Sequence, residues 1–196
     1  MKSAEPTTKT AILEAAIPLF ASAGFNSISM RTIAKQVGIT APTLYHHFPD
    51  KQALYIAAVA HAFSRKAKPL SASLSTNKTP DERLKDFVYT FSKLIHDDRD
   101  FHKLIQRELL DGDANRLQLL AEQVFLDLFI SLTSLSKELD PSFDPHLLAV
   151  SIVGLVSYHY QTMPLRKYQP GSKPYHNTPE VLAEHVTHLL LHGVKS

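Results

Sequence analysis

The chain of 196 residues contains no cysteine. Disulfides, thiolate nucleophiles and cysteine metal sites are therefore excluded, and the composition suits a reducing compartment. Glycine is scarce, with six residues in all, and none stands in a loop of the kind that cradles phosphates. There is no metal-binding triad and no nucleophile motif, which argues against an enzyme and against a bound cofactor. No apolar run reaches the ~18 residues of a membrane span. The best stretch, Leu147 to Val156, is too short and continues into Tyr158, His159 and Gln161. The first residues, Met1 to Lys9, hold no apolar run, so no signal peptide is expected and a cytoplasmic location is. No segment alternates as a strand would, and nothing repeats.

What is present is helical periodicity over a hydrophobic content of 44%, enough for a real core. The expected fold is all-α, with about nine helices. The first runs from about Lys9 to Ala23, with Ile12, Ala16, Leu19 and Phe20 on one side; Pro18 in its middle predicts a kink and Gly24 its end. Phe25 and Ile28 then serve as apolar anchors. A long helix starts near Lys51, and Pro69 with Ser71 to Thr79 reads as a linker. Thr79-Pro80-Asp81-Glu82 opens the next helix. Helices follow over about 99–110 and 114–139, the latter with Leu117, Leu120, Val124, Leu128, Leu132 and Leu135 on one face. Two more span about 144–166 and 179–192, the last with Val181, Leu182, Val186, Leu189 and Leu190 inward. Net charge is only +2, yet residues 1–66 hold 7 Lys/Arg against 3 Asp/Glu. A basic first third suits a small nucleic-acid-binding head, although uneven charge also arises by chance.

The most informative stretch is Met30 to Lys51. Ile33, Ala34 and Val37 give a short helix one apolar face. Gly38 can turn the chain left-handed after it. Thr40 is a suitable N-cap for a second helix, with Pro42 in its first turn. Leu44 and Phe48 then face the core, leaving Thr43, Tyr45, His46 and His47 to point elsewhere. Two short helices around a Gly corner, with a polar side on the second, form the layout of a helix-turn-helix over residues 29–48.

Ile33-Ala-Lys-Gln-Val-Gly-Ile-Thr, then Pro42-Thr-Leu-Tyr-His-His-Phe, then Asp50-Lys, resembles the DNA-binding domain of the TetR family of transcriptional regulators. The likeness extends upstream through Ile12-Leu-Glu-Ala-Ala-Ile-Pro-Leu-Phe and Gly24-Phe-Asn-Ser-Ile-Ser-Met. It covers roughly residues 6–66, the expected DNA-binding domain. Residues 67–196 are then the expected effector-binding and dimerisation domain.

In such a head, side chains at base edges read sequence and phosphate contacts hold register. Ala41, Pro42 and Tyr45 lie on the side expected to enter the groove, the first two suited to thymine methyls. Thr40, Thr43, Tyr45 and His46 can donate to phosphate oxygens, and Lys51 opens a helix whose free N–H groups also favour an anion. Arg31 and Thr32 are expected flank contacts. The resemblance implies DNA contact at Thr43, Tyr45, His46 and Lys51. Core packing is the other reading for Tyr45, and of the two histidines His47 is the one expected to pack.

Two heads on a two-fold axis would address a palindromic operator. The apolar segment 147–156 asks for more partners than one small domain offers, and Gly154 permits close helix approach. The resemblance implies a homodimer formed through the last two helices, about 144–166 and 179–192. It also implies a small-molecule effector held by the second domain. Candidate effector contacts are the polar groups Tyr89, His102, Gln106, Tyr158 and His159 on otherwise apolar helices. His185, His188 and His192 share one face of the last helix; a metal site, a titrating stripe and an ordinary polar face remain open. The function implied is a ligand-responsive repressor. An activator, or a helical DNA-binding protein without a ligand switch, are the alternatives.

Overall fold

The computed structural model describes residues 8–193, apart from the side chain at 65. Residues 6 and 7 of the expected DNA-binding domain, and the polar start of the chain, lie outside the described residues. Among the described residues the fold is entirely helical, without a strand. The α-helices are α1 (Thr8–Ser27), α2 (Met30–Val37), α3 (Ala41–His47), α4 (Lys51–Leu74), α5 (Pro80–Asp97) and α6 (Arg99–Asp111). They continue as α7 (Ala114–Leu120), α8 (Leu126–Leu139), α9 (Pro145–Arg166) and α10 (Pro179–His192). A π-helical segment, Ala121–Phe125, joins α7 to α8, and a single 3₁₀ turn, Pro174–Asn177, precedes α10.

The chain divides into two compact units. The first holds residues 8–65 together with Arg99–Phe125. Its core gathers Ile12, Ala16 and Phe20 of α1, Ile33 of α2, Leu44 of α3 and Leu54, Tyr55 and Val59 of α4. Leu104 of α6 and Leu120 of α7 complete it. α4 leaves this unit after residue 65, and residues 99–125 group with it. The reason is packing: the apolar side of α6 lies on α1. The second unit comprises 66–98 and 126–193. Leu70 and Leu74 of α4 are buried in it, with Leu84, Phe87 and Val88 of α5, Leu132 and Leu135 of α8, Ile152 and Val156 of α9, and Leu182 and Val186 of α10. Lys85 and Glu184 pair at 2.8 Å and Arg83 pairs with Glu138, tying α5 to α10 and α8.

Four expectations are corrected. The linker does not begin at Pro69, because α4 runs through it to Leu74; burial of Leu70 and Leu74 at i, i+4 offsets a proline cost of up to ~3 kcal/mol. Within α1 it is Gly24, at φ 80°, that leaves helical geometry rather than Pro18. The single helix expected over 114–139 is broken by the π segment, which turns nine helices into ten among the described residues. Val181 is exposed, while Ala183 and Thr187 are buried beside Leu182 and Val186.

Among the described residues the run Ala114–Leu139, not 147–156, is the one long and apolar enough to cross a membrane by length and mean hydropathy. That run nonetheless carries the buried Arg116 and places Leu120, Leu132 and Leu135 in protein cores. α5 begins with a full capping box: Thr79 accepts the Glu82 N–H at 3.3 Å and the Glu82 carboxylate accepts the Thr79 N–H at 3.0 Å.

Leu104, fully buried in the first unit, tests whether α6 is part of the head's core. Leu104→Ala is expected to destabilise that unit by about 2–5 kcal/mol in urea titration. A loss no larger than that of an exposed leucine would detach α6 from the head.

Candidate nucleic-acid interface

Ser29 caps α2, its hydroxyl accepting the Thr32 N–H at 3.1 Å. Gly38 ends the helix in the left-handed region, at φ 80° and ψ 27°, and its N–H returns to α2 carbonyls. The N–H of Ile39 reaches the Ala34 carbonyl at 3.0 Å, closing the corner. Thr40 then caps α3, accepting the Thr43 N–H at 3.3 Å, with the two hydroxyls 2.8 Å apart. Pro42 sits in the first turn, where no intrahelical donor is lost.

Leu44 is fully buried and Phe48 nearly so. Their burial leaves Pro42, Thr43, Tyr45 and His46 on the open side of α3, Tyr45 being 51% exposed. Core packing of Tyr45 is therefore not what the structure shows. His47 is half-buried against an exposed His46, their rings 5.7 Å apart. Ala41 is half-buried, and Arg31, Thr32 and Thr40 are exposed. The open side of α3 is continuous in chemistry: small apolar at its start, hydroxyl, phenol and imidazole beyond.

Lys51 is placed differently from a free surface lysine. Asp50 caps α4, accepting the Ala53 N–H at 2.7 Å. The Lys51 ammonium donates to the Phe25 carbonyl at 3.0 Å and stands 4.3 Å from the centroid of the Phe25 ring. Phe25 can be there because Gly24, at φ 80°, kinks α1 just before it. Its ring meets Tyr55 edge-on at 5.3 Å and stacks on Phe20 at 6.3 Å.

Behind this ring lies a buried ion pair that residue spacing did not reveal. Glu108 of α6 is 1% exposed and Arg116 of α7 is 4% exposed. The Arg116 Nε donates to Glu108 Oε1 at 2.9 Å. The guanidinium also pairs with Asp113 at 3.4 Å and lies 4.0 Å from the Phe25 centroid. Burial pushes the Tyr55 phenol pKa up, and the neighbouring Glu108 carboxylate pushes it further. The sequence signal available was weak: two charges eight residues apart across the Gly112 turn.

The five effector candidates are distributed over both units. His102 and Gln106 are half-buried on α6 of the first unit. In the second, Tyr89 donates to Glu180 at 3.3 Å, and Tyr158 is 66% exposed on α9. His159 is half-buried, beside Arg166, whose guanidinium donates to the His159 carbonyl at 2.8 Å. Burial lowers the pKa of both His102 and His159, with Arg166 adding to the effect on His159. The His188 and His192 rings lie 4.8 Å apart. Among the described residues no three His, Asp or Glu side chains gather as metal ligands would.

A short helix capped at its start, packed along one side behind a left-handed glycine corner and open on the other, defines a helix-turn-helix domain. Residues 12–58 match the family model described as bacterial regulatory proteins, tetR family. Over 59 residues the chain is 44% identical to the HTH-type transcriptional regulator UidR of Escherichia coli (strain K12), covering 30% of each chain. The chain thus spans less than a third of that relative's length. Two solved structures align along nearly all of it. One is the fatty acid degradation regulator FadR from Bacillus halodurans, at a TM-score of 0.79 and 20% identity, covering 98% of this chain and 99% of that one. The other is FadR from Bacillus subtilis in complex with stearoyl-CoA, at 0.78 and 19%, covering 94% and 98%. At such identity these likenesses are of fold alone. Over residues 12–58 the chain thus carries a domain that matches the TetR family of bacterial regulatory proteins.

Two outcomes are expected. Arg116→Ala, which strands a buried carboxylate, costs about 3–5 kcal/mol in urea unfolding, whereas the paired change Glu108→Leu with Arg116→Met costs far less. Equal losses would mean that the pair is not desolvated. His102 and His159, lowered in the folded chain, take up protons more readily when unfolded. Stability is therefore full above pH about 6.5 and falls as pH drops towards the lowered values. Urea midpoints across that window should show this slope, flattened in a His102→Gln, His159→Gln variant; an unchanged slope contradicts it.

Proposed function

We propose that the chain is a homodimeric, sequence-specific repressor, released from a palindromic operator by a small-molecule effector. The observation that carries this reading is the open side of α3. Leu44 and Phe48 hold that helix from beneath, and Thr43, Tyr45 and His46 project where a major groove can receive them. Ala41 and Pro42 meet base methyls; Arg31, Thr32, Thr40 and Lys51 hold phosphates. Residues 6–66 act as the DNA-binding head, steadied by 99–125, and the protein works in the cytoplasm.

Dimerisation through α9 and α10 is supported by an apolar side of α9 that its own chain leaves uncovered. Leu147 is 65% exposed, and Val150, Leu155 and Tyr158 share that exposure, with Gly154 open between them. Tyr158 fits this surface better than a ligand pocket. An effector of apolar character is supported by a cleft of about 550 Å³ in the second unit, lined by Leu84, Phe143, Leu148, Ile152 and Leu190. None of Tyr89, His102, Gln106 and His159 lines this cleft, whose polar contacts are Asp140 and Ser151. The FadR structure that holds stearoyl-CoA makes long-chain acyl thioesters the first class to try. The ligand must favour one spacing of the two heads to act as a switch.

The test is selection of bound duplexes from a random pool, then release by candidate effectors. A rough palindrome bound by a dimer is expected. Tyr45→Ala should weaken its binding by about 1–3 kcal/mol while moving stability by no more than about 0.5 kcal/mol. Binding without sequence preference, governed by salt alone, would instead support a nucleoid-type role.

A further inference from the structure

We infer that the buried Glu108–Arg116 pair is a positioning element for Lys51, acting through Phe25. The inference rests on the DNA-binding reading of the head. Lys51 has two holds, the Phe25 carbonyl at 3.0 Å and the Phe25 ring at 4.3 Å. The same ring carries the Arg116 guanidinium at 4.0 Å. Two cations on one aromatic ring repel each other unless a carboxylate balances one of them. Glu108 supplies that balance at 2.9 Å, from a position closed to solvent. The Asp113 side chain caps α7 through the Arg116 N–H at 2.9 Å, so the backbone that bears the guanidinium is itself fixed.

The chain of contacts therefore runs from α6 and α7 to the start of α4. Arg116 fixes the ring, and the ring and its carbonyl fix the ammonium of the first residue of α4. Nothing buried as deeply as Arg116 can itself touch a duplex. Whatever it does to DNA binding, it does through a neighbour, and Lys51 is the cationic neighbour on its ring. A shift of α6 or α7 that draws Arg116 off the ring loosens Lys51 without unfolding the head.

The salt dependence of operator binding tests this. A lysine that neutralises a phosphate steepens the plot of log affinity against log salt by about one. Loss of folded protein lowers the active fraction and leaves that slope unchanged. Four proteins are compared on a duplex recovered by selection: wild type, Lys51→Ala, the core-filling pair Glu108→Leu with Arg116→Met, and the triple variant. The paired change alters no net charge. It is expected to lower the slope by about one, as Lys51→Ala does, and to weaken binding about five- to tenfold at moderate salt. The triple variant is expected to match Lys51→Ala. Should the paired variant fail to fold by thermal melt, Phe25→Leu removes the ring, keeps the carbonyl and is expected to lower the slope in the same direction. An unchanged slope, or losses that add in the triple variant, overturns the inference. A wild-type protein that selects no duplex overturns the DNA-binding reading instead.

Discussion

A helix of seven residues has too few hydrogen bonds to hold itself in water. α3 persists because Leu44 and Phe48 are taken into the core of the first unit and because Thr40 and Gly38 determine how the chain enters it. That single constraint sets the helix's rotation about its own axis. With Leu44 and Phe48 beneath, Thr43, Tyr45 and His46 have nowhere to be but outside. The open face is the complement of the buried one, and no separate device is needed to present it.

The head does not close its core alone. Leu104 and Leu120 arrive from helices that follow α5 in the chain, and with them arrives a desolvated carboxylate–guanidinium pair. Such pairs add little to stability against apolar residues of equal volume. Their presence beside Phe25 and Tyr55 makes more sense as a demand on geometry: a charge-balanced guanidinium 4.0 Å from the Phe25 centroid defines where that ring can lie. The unit proposed to bind DNA is thereby built partly from sequence far along the chain from its motif.

The motif was legible because it consists of local signals. Gly38, Thr40 and Pro42 announce their backbone roles, and Leu44 and Phe48 stand one helical turn apart. The starts of α5 and α9 were legible for the same reason, each opening at a capping residue followed by proline, and α10 opens on Pro179. What was not legible depends on partners distant in sequence. Pro69 and the serines after it look like a linker until Leu70 and Leu74 are seen to be buried. The π segment at Ala121–Phe125 leaves the apolar spacing nearly intact, so periodicity alone runs straight through it. Glu108 and Arg116 resemble surface charges until the turn at Gly112 brings them together. Lys51 was correctly placed at a helix start, but its hold on Phe25 depends on the break at Gly24.

The most direct measurement is a titration of isotopically labelled protein with the selected duplex, following backbone amide shifts residue by residue. The account predicts that the largest changes fall at residues 29–32, 40–46 and 51. Changes concentrated elsewhere, with those residues unmoved, would contradict it.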